Sequence, residues 1–187
     1  MAETNLDLMQ AIFELEENDT VHEGRLLILL RAFSTGQENQ PIEGLTKLAK
    51  LDFLLRYPTY LERALVKKGR STKSVDVQEH ERVSVESKMV RYRFGPWDHR
   101  YRRILNLLVG KGLVTLDVSG RTINIGLTPN GHEIAESIAT AKEYSDIANR
   151  AKALKSHFNI KGTNLMKFIY KNFVEIVSLR SNQEIDV

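Results

Sequence analysis

The sequence predicts a mostly α-helical protein that carries one small β-hairpin. Apolar side chains recur at helical spacing along most of the chain, whereas the segment 114–127 alternates apolar and polar residues on either side of Ser119-Gly120. The length of 187 residues suits one elaborated domain or two small ones, and a hydrophobic content of 42% is enough for a core. These patterns set the fold class before any motif is considered.

The stretch from Trp97 to Gly131 gives the predicted fold its detail. We expect a helix that begins near Gly95-Pro96 and ends at Gly110-Lys111-Gly112, because proline suits a first turn and glycine a helix end. One face of this helix is apolar and should be buried: Trp97, Tyr101, Ile104, Leu105 and Leu108. The hairpin follows, and Thr128-Pro129 should open another helix. This order is the back half of a winged helix-turn-helix, which is therefore the predicted core.

Additional helices should flank that core. Residues 1–19 are expected to hold a docking helix at about 5–17, and Thr20 with Glu23 fits a capping box for a central helix that ends near residue 35. The segment 42–57 should form a helix that Pro58 ends, followed by a short helix at 59–68.

The predicted core spans residues 20–131 and contains an insertion at about 69–88. This insertion is polar, and we expect it to be mobile or a loosely held hairpin. Residues 89–94 alternate and should form a strand beside the main hairpin. Residues 132–187 should form a C-terminal helical extension, with one helix reaching about residue 157 and a last helix at 164–179.

The composition excludes several kinds of chemistry. Without cysteine there are no disulfides, thiolate metal sites or cysteine nucleophiles. The five histidines lack metal-ligand spacing, and neither a nucleophile elbow nor a phosphate-binding loop occurs. We therefore expect a protein that is not an enzyme and needs no cofactor or metal. No apolar run approaches the roughly 20 residues of a membrane span, and the start lacks a signal-peptide layout, so we expect a cytoplasmic protein without membrane contact.

Basic side chains concentrate between residues 88 and 103, where Asp98 is the only acid. Cations attract phosphate and release counterions, which favours nucleic acid. An acidic protein partner is an alternative, as are solvated arginines paired with Glu14, Glu16 or Asp98. The aromatic residues among them should belong to the core rather than stack on bases. The candidate residues for binding nucleic acid or a partner are Lys47, Lys50, Lys88, Arg91, Arg93, His99, Arg100, Arg102, Arg103, Asn106 and, at the hairpin tip, Arg121.

The last predicted helix has an unusually wide apolar surface. Its main face carries Leu165, Phe168, Ile169, Phe173, Ile176 and Val177, and a second line carries Met166, Tyr170 and Val174. Such a surface either packs into its own domain or docks on a second chain. The main face is thus a candidate partner-docking site.

Two blocks of the sequence resemble a known family. LTKLAKLDFLLRYP (45–58) and ESKMVRYRFGPWDHRYRRILNLLVGKGLV (86–114) resemble the middle component of bacterial ABC-three-component defence systems of the Lamassu type. The resemblance runs from about residue 25 to 131, and YRFGPWDHRY is its most specific part. It implies a winged-helix accessory subunit that works with an SMC-like ABC ATPase and an effector, often a nuclease, against phage or plasmid DNA.

Two functions follow from these observations. The first is a non-enzymatic accessory subunit, kleisin-like or scaffolding, that meets double-stranded DNA directly or through the ATPase complex. The alternative is a stand-alone winged-helix transcriptional regulator. In that case Arg100, Arg102, Arg103 and Asn106 would read the major groove, and Arg121 would contact the flanking backbone.

Overall fold

A computed structural model describes residues 19–34, 40–85, 87–93 and 95–186. This part of the chain is mostly helical with a small antiparallel sheet, which confirms the predicted fold class at that level. The expected docking helix at 5–17 lies outside the described residues. The elements are α1 (Asp19–Ser34), β1 (Ile42–Glu43), α2 (Leu45–Arg56), α3 (Pro58–Lys67), β2 (Val90–Tyr92), β3 (Gly95–Trp97), α4 (Tyr101–Gly110), β4 (Val114–Ser119), β5 (Thr122–Leu127), α5 (Pro129–Thr140), α6 (Ser145–Phe158), α7 (Gly162–Asn172) and α8 (Val174–Ser178), with 3-10 turns at Glu79–Arg82 and Lys142–Tyr144.

The main sheet joins β1, which precedes α2, to the hairpin formed by β4 and β5. Its strand order is β1-β5-β4, all antiparallel, and Ile42 lies opposite Ile125 with both side chains fully buried. The predicted hairpin is confirmed. The predicted helix from residue 42 is wrong at its start, because Ile42–Glu43 is strand and α2 begins only after Gly44. Gly44 has a φ of 88°, which other residues rarely adopt, and its amide donates to Ile123 O at 2.8 Å.

Helix α1 is central, as predicted. Its side chains from His22 to Leu30 are buried, and it packs against α5, α6 and β5. The expected capping box does not form at Thr20, because the helix already includes Asp19. Glu23 instead accepts from Lys111 Nζ at 2.5 Å, which ties α1 to the end of α4.

The insertion at 69–88 is held more firmly than predicted. Val75 is fully buried, and Arg150 of α6 donates to the carbonyl oxygens of Val75 (2.6 Å) and Asp76 (2.9 Å). The same guanidinium contacts both carboxylate oxygens of Glu81 at 2.6 and 2.7 Å. The described residues of this segment contain a 3-10 turn and no strand. The expectation of a mobile or loosely held insertion is therefore corrected.

The strand predicted at 89–94 exists but has a different partner. β2 pairs with β3, Val90 opposite Trp97, rather than lying beside the main hairpin. Because Gly95–Trp97 is strand, α4 begins at Tyr101 and not near Gly95-Pro96. On its other side β2 meets the end of the chain, where the amide of Arg91 donates to Gln183 O at 2.8 Å.

The C-terminal part contains two helix breaks that the sequence analysis missed. One lies at Ala141–Tyr144 and the other at Phe173, between α7 and α8. Leu165, Ile169, Phe173 and Ile176 are fully buried in their own chain, Phe168 is half-buried, and 36% of Val177 is exposed. Phe173 packs edge-on against Tyr60 of α3 at 5.0 Å. The buried residues are therefore unavailable to a second chain. Within the described ranges, no helix is both long and apolar enough to cross a bilayer.

Candidate nucleic-acid interface

Helix α4 has one buried and one exposed face. Tyr101, Ile104, Leu105 and Leu108 are buried in the core, as predicted. Trp97, expected on the same helix, lies in β3 and is half-buried. The exposed side of the helix, which we name the α4 face, carries Arg102, Arg103, Asn106, Leu107 and Val109. This face combines two cations and an amide on a rigid element.

The two arginines of the α4 face differ in their partners. Arg103 Nη2 lies 2.8 Å from Asp19 Oδ1, and 59% of the Arg103 side chain is exposed. Exposed pairs of this kind contribute only about 0–1 kcal/mol, so a phosphate can compete for the guanidinium. Arg102 is exposed and forms no ion pair with any described residue. Arg102 is therefore the most available cation of the α4 face.

Arg100 does not belong to the α4 face. Its Nε and Nη2 donate to the two carboxylate oxygens of Asp98 at 3.0 and 2.9 Å, and Nη2 also contacts the Ser87 hydroxyl. The backbone amide of Arg100 donates to Asp98 Oδ1 at 2.9 Å. The sequence-based alternative of an ion pair with Asp98 is correct for this residue, which positions the start of α4.

A buried network of charges lies behind α4. Asp52 Oδ1 accepts from Arg25 Nε at 2.8 Å, and Asp52 Oδ2 accepts from Arg56 Nη2 (2.6 Å) and the Tyr101 hydroxyl (2.7 Å). Arg56 Nη1 donates in turn to Asp98 Oδ2 at 2.8 Å. The network joins α1, α2 and the first residue of α4. Sequence reasoning missed it, although Asp52 and Arg56 stand four residues apart within an apolar helix, a spacing that brings side chains together.

The network fixes the charge state of its members. Burial alone would raise the pKa of Asp52, but the charges of Arg25 and Arg56 outweigh it and hold that pKa well below its usual value. Asp98 behaves alike, because Arg100 and Arg56 oppose the effect of burial on its pKa. Burial and the charge of Arg25 lower the pKa of His22 to about 3. Both carboxylates are therefore ionised and the imidazole is neutral at physiological pH.

The structure removes Lys47 from the candidate interface and limits Lys50. Both are buried, and Lys47 Nζ donates to Asn159 Oδ1 at 3.3 Å on the side of α6 and α7. Lys50 Nζ donates to the carbonyl of Thr46 at 2.9 Å and borders a cleft beside α4. Burial lowers the pKa of Lys50 to about 8 and also lowers that of Lys47.

The remaining basic residues near β2 are dispersed. Lys88 pairs with Asp186 (2.8 Å) and Glu184 (3.3 Å), so it holds the end of the chain. Arg91 is half-buried, and no described residue accepts a hydrogen bond from its Nε. Arg93 is exposed, and exposed His99 packs edge-on against Tyr92 at 5.9 Å. The predicted cluster therefore divides into structural and available cations.

The main hairpin extends beyond the core. Arg121 is exposed at its tip, where Gly120 adopts a φ of 60°. Leu116, Val118 and Ile123 are exposed on one side of the hairpin, and Val118 is 69% exposed. On this alternating side, burial is confined to the base of the hairpin, at Val114, Ile125 and Leu127.

A cleft next to the α4 face was not foreseen. It has a volume of about 190 Å³ and is lined by Thr46, Lys50, Tyr92, Gly95, Pro96, Trp97 and Arg102. The interleaving of aromatic and basic residues at 88–103 could have indicated such a cleft. The sequence analysis instead assigned the aromatic residues to the core and the basic residues to the surface. The cleft places both kinds of side chain together.

In the part of the chain that the structure describes, no three His, Asp or Glu side chains lie close enough together to hold a metal ion. No protein-family model matches the chain, and comparisons with curated proteins and with solved structures found no match.

Proposed function

We propose that this chain is a non-enzymatic winged-helix subunit that holds double-stranded DNA for an SMC-like ABC ATPase complex. The α4 face would lie against the duplex, and Arg121 would reach a neighbouring phosphate. The DNA part of this proposal comes from the geometry, and the ATPase part comes from the sequence resemblance.

The observation that carries the proposal is the exposure of Arg102, Arg103 and Asn106 on one rigid helix next to a hairpin. The element order supports a winged helix, since α1, β1, α2, α4, β4 and β5 follow one another with β1 added to β5, and the segment 57–100 is inserted before α4. In winged helix-turn-helix proteins the helix before the hairpin enters the major groove. Arginine there binds phosphate or a guanine edge in bidentate fashion.

A direct test is binding of a labelled duplex to the purified chain, followed by fluorescence anisotropy. We expect binding at low salt that weakens steeply as salt rises, because phosphate neutralisation releases counterions. An absence of binding at an ionic strength of about 50 mM would reject the DNA part of the proposal.

A separate test addresses the ATPase. The proposal expects a gene for an SMC-like ABC ATPase beside the gene for this chain, and co-expression of the two followed by affinity purification should recover both proteins. The exposed apolar residues Leu116, Val118 and Ile123 are available for such a contact, unlike the buried face of α7 and α8. Failure of the full-length chain to retain the ATPase would reject the subunit role and leave DNA binding untouched.

The stand-alone regulator is distinguished by sequence preference. A regulator should bind a defined palindrome as a dimer and prefer it over bulk DNA by a factor of about 10³ or more. A subunit that holds DNA for an ATPase should show little preference, because phosphate contacts carry no sequence information.

A further inference from the structure

The cleft beside the α4 face has an aromatic wall. The ring centroids of Tyr92 and Trp97 lie 6.1 Å apart and the two planes are tilted by 31°, so the rings are neighbours that both line the cleft. Tyr101 packs edge-on against Trp97 at 5.5 Å, and His99 packs edge-on against Tyr92 at 5.9 Å. These supports fix the two rings before any ligand arrives. Aromatic rings held in this way offer apolar surface against which a planar group can pack.

The same cleft has cationic groups and no anionic ones among its described lining residues. Lys50 is only 3% exposed, and among the described residues its ammonium group donates to the carbonyl of Thr46 at 2.9 Å. An ammonium group has three donors, so Lys50, which lines the cleft, keeps hydrogen-bonding capacity that no described residue uses. Arg102 stands exposed at the rim. An anionic group bound here would gain two charge-assisted contacts.

We propose that this cleft binds a single nucleotide, with the base against Tyr92 and Trp97 and the phosphate between Lys50 and Arg102. A free mononucleotide and the unpaired end of a DNA strand share this chemistry. An acidic peptide satisfies the cations but leaves the aromatic wall uncovered, which is why we favour the nucleotide. The inference goes beyond duplex binding through the α4 face, because the cleft lies beside that face and takes an unstacked base.

The chain itself supplies the probe for this proposal. Trp97 is its only tryptophan, so intrinsic fluorescence reports directly on the aromatic wall. The titrations use thymidine 5′-monophosphate, thymidine and inorganic phosphate on the full chain. Thymidine monophosphate should quench the fluorescence saturably, thymidine should bind roughly ten-fold more weakly, and phosphate alone should leave the emission unchanged.

Variants separate the two cations from general effects on the fold. Lys50→Met and Arg102→Ala should each weaken nucleotide binding roughly ten-fold, because each removes one charge-assisted contact. Lys47→Met is the matched control, since Lys47 is a buried lysine of the same helix that contacts Asn159 outside the cleft. Circular dichroism establishes whether each variant folds. If Lys50→Met does not fold, Arg102→Ala still tests the proposal, because Arg102 is exposed and its removal should leave the fold intact.

Oligonucleotides with and without a 5′-phosphate then identify the source of the nucleotide. Preference for the phosphorylated single-stranded oligonucleotide over the mononucleotide would assign the cleft to strand ends, and the reverse would assign it to free nucleotides. The proposal is overturned if no nucleotide quenches Trp97, or if a glutamate-rich peptide binds and nucleotides do not. Duplex binding is measured separately, so either proposal can fail while the other stands.

Discussion

Asp52 lies at the centre of the buried charge network. Its carboxylate has no exposed surface and accepts from Arg25, Arg56 and Tyr101, which belong to three different helices. A buried pair adds little net stability when it is complete, because desolvation offsets the attraction. Removing one partner is costly, since it leaves the opposite charge buried without compensation.

We therefore expect Asp52→Asn to lower the free energy of unfolding by about 3–5 kcal/mol, measured by urea denaturation. The matched control is Glu136→Gln, which removes an ion pair between Arg31 and a 56%-exposed carboxylate and should cost about 0–1 kcal/mol. Equal losses in the two variants would show that the buried network has no special role.

His22 should make the stability depend on pH. Its pKa of about 3 in the folded protein lies below the ordinary value of 6.5. Between these two pH values the unfolded chain therefore binds a proton at His22 that the folded chain does not bind. Its contribution is thus fully present above pH 6.5 and is lost as the pH falls through the interval down to about 3. The free energy of unfolding should change by at most about 1.4 kcal/mol per pH unit through His22.

The window between pH 6.5 and about 4.5 isolates this effect, because Asp52 and Asp98 lose their contribution only near and below their ordinary pKa of 3.8. Urea denaturation at several pH values should show stability falling in this window for the natural chain and a flatter profile for His22→Gln. Identical profiles would contradict the neutral, buried state of His22.

Close packing of α5 against the base of the hairpin determines how that hairpin is held. Gly131 lies in the first turn of α5, where a Cβ atom would stand 1.9 Å from Leu113 O. The amide of Gly131 also donates to the Thr128 hydroxyl at 2.9 Å, which is the predicted N-terminal cap. The glycine thus permits a close approach between the helix and the backbone.

Gly131→Ala should therefore destabilise the protein by about 1–3 kcal/mol or more, because neither backbone can move freely. Gly110→Ala is the control: it lies in the last turn of α4, and a Cβ there meets nothing within 4 Å. It should be neutral or stabilising by up to about 1 kcal/mol. Thermal unfolding of both variants measures the difference, and an unaffected Gly131→Ala would refute the close packing.

At the level of elements, sequence periodicity predicted the long amphipathic helices and the local hairpin but not the short strands. Ile42–Glu43 continues the apolar pattern of α2, and it becomes strand only because β5, some 80 residues later, offers a pairing edge. Gly95–Trp97 was likewise predicted to begin a helix, and it is strand because it pairs with β2. Whether these short segments form strand depends on pairing with another segment, and the local residue preferences carry no information about that pairing.

At the level of the whole molecule, the exposure of the α4 face could be predicted, whereas the burial of other candidates could not. Arg102, Arg103 and Asn106 lie opposite a strongly apolar stripe, so helical geometry alone places them outside. Lys47 and Lys50 are buried because tertiary packing covers α2, partly by α6 and α7. The same packing buries most of the apolar face of the last two helices, which removes it as a docking surface.

The whole-molecule claim is that the α4 face binds DNA through its charges. Arg102→Ala combined with Arg103→Ala removes two possible phosphate contacts. Lys152→Ala combined with Lys171→Ala removes the same charge from exposed positions on α6 and α7, and so controls for net charge. The two double variants should therefore differ only if the position of the charge matters.

The most direct measurement is the dependence of duplex affinity on salt concentration for the natural chain and these two double variants. On a plot of log affinity against log salt, loss of two phosphate contacts should make the slope shallower by about 1.8 for the arginine variant. The lysine variant should keep the slope of the natural chain. Equal slopes for all three proteins, or no duplex binding by the natural chain, would contradict the account.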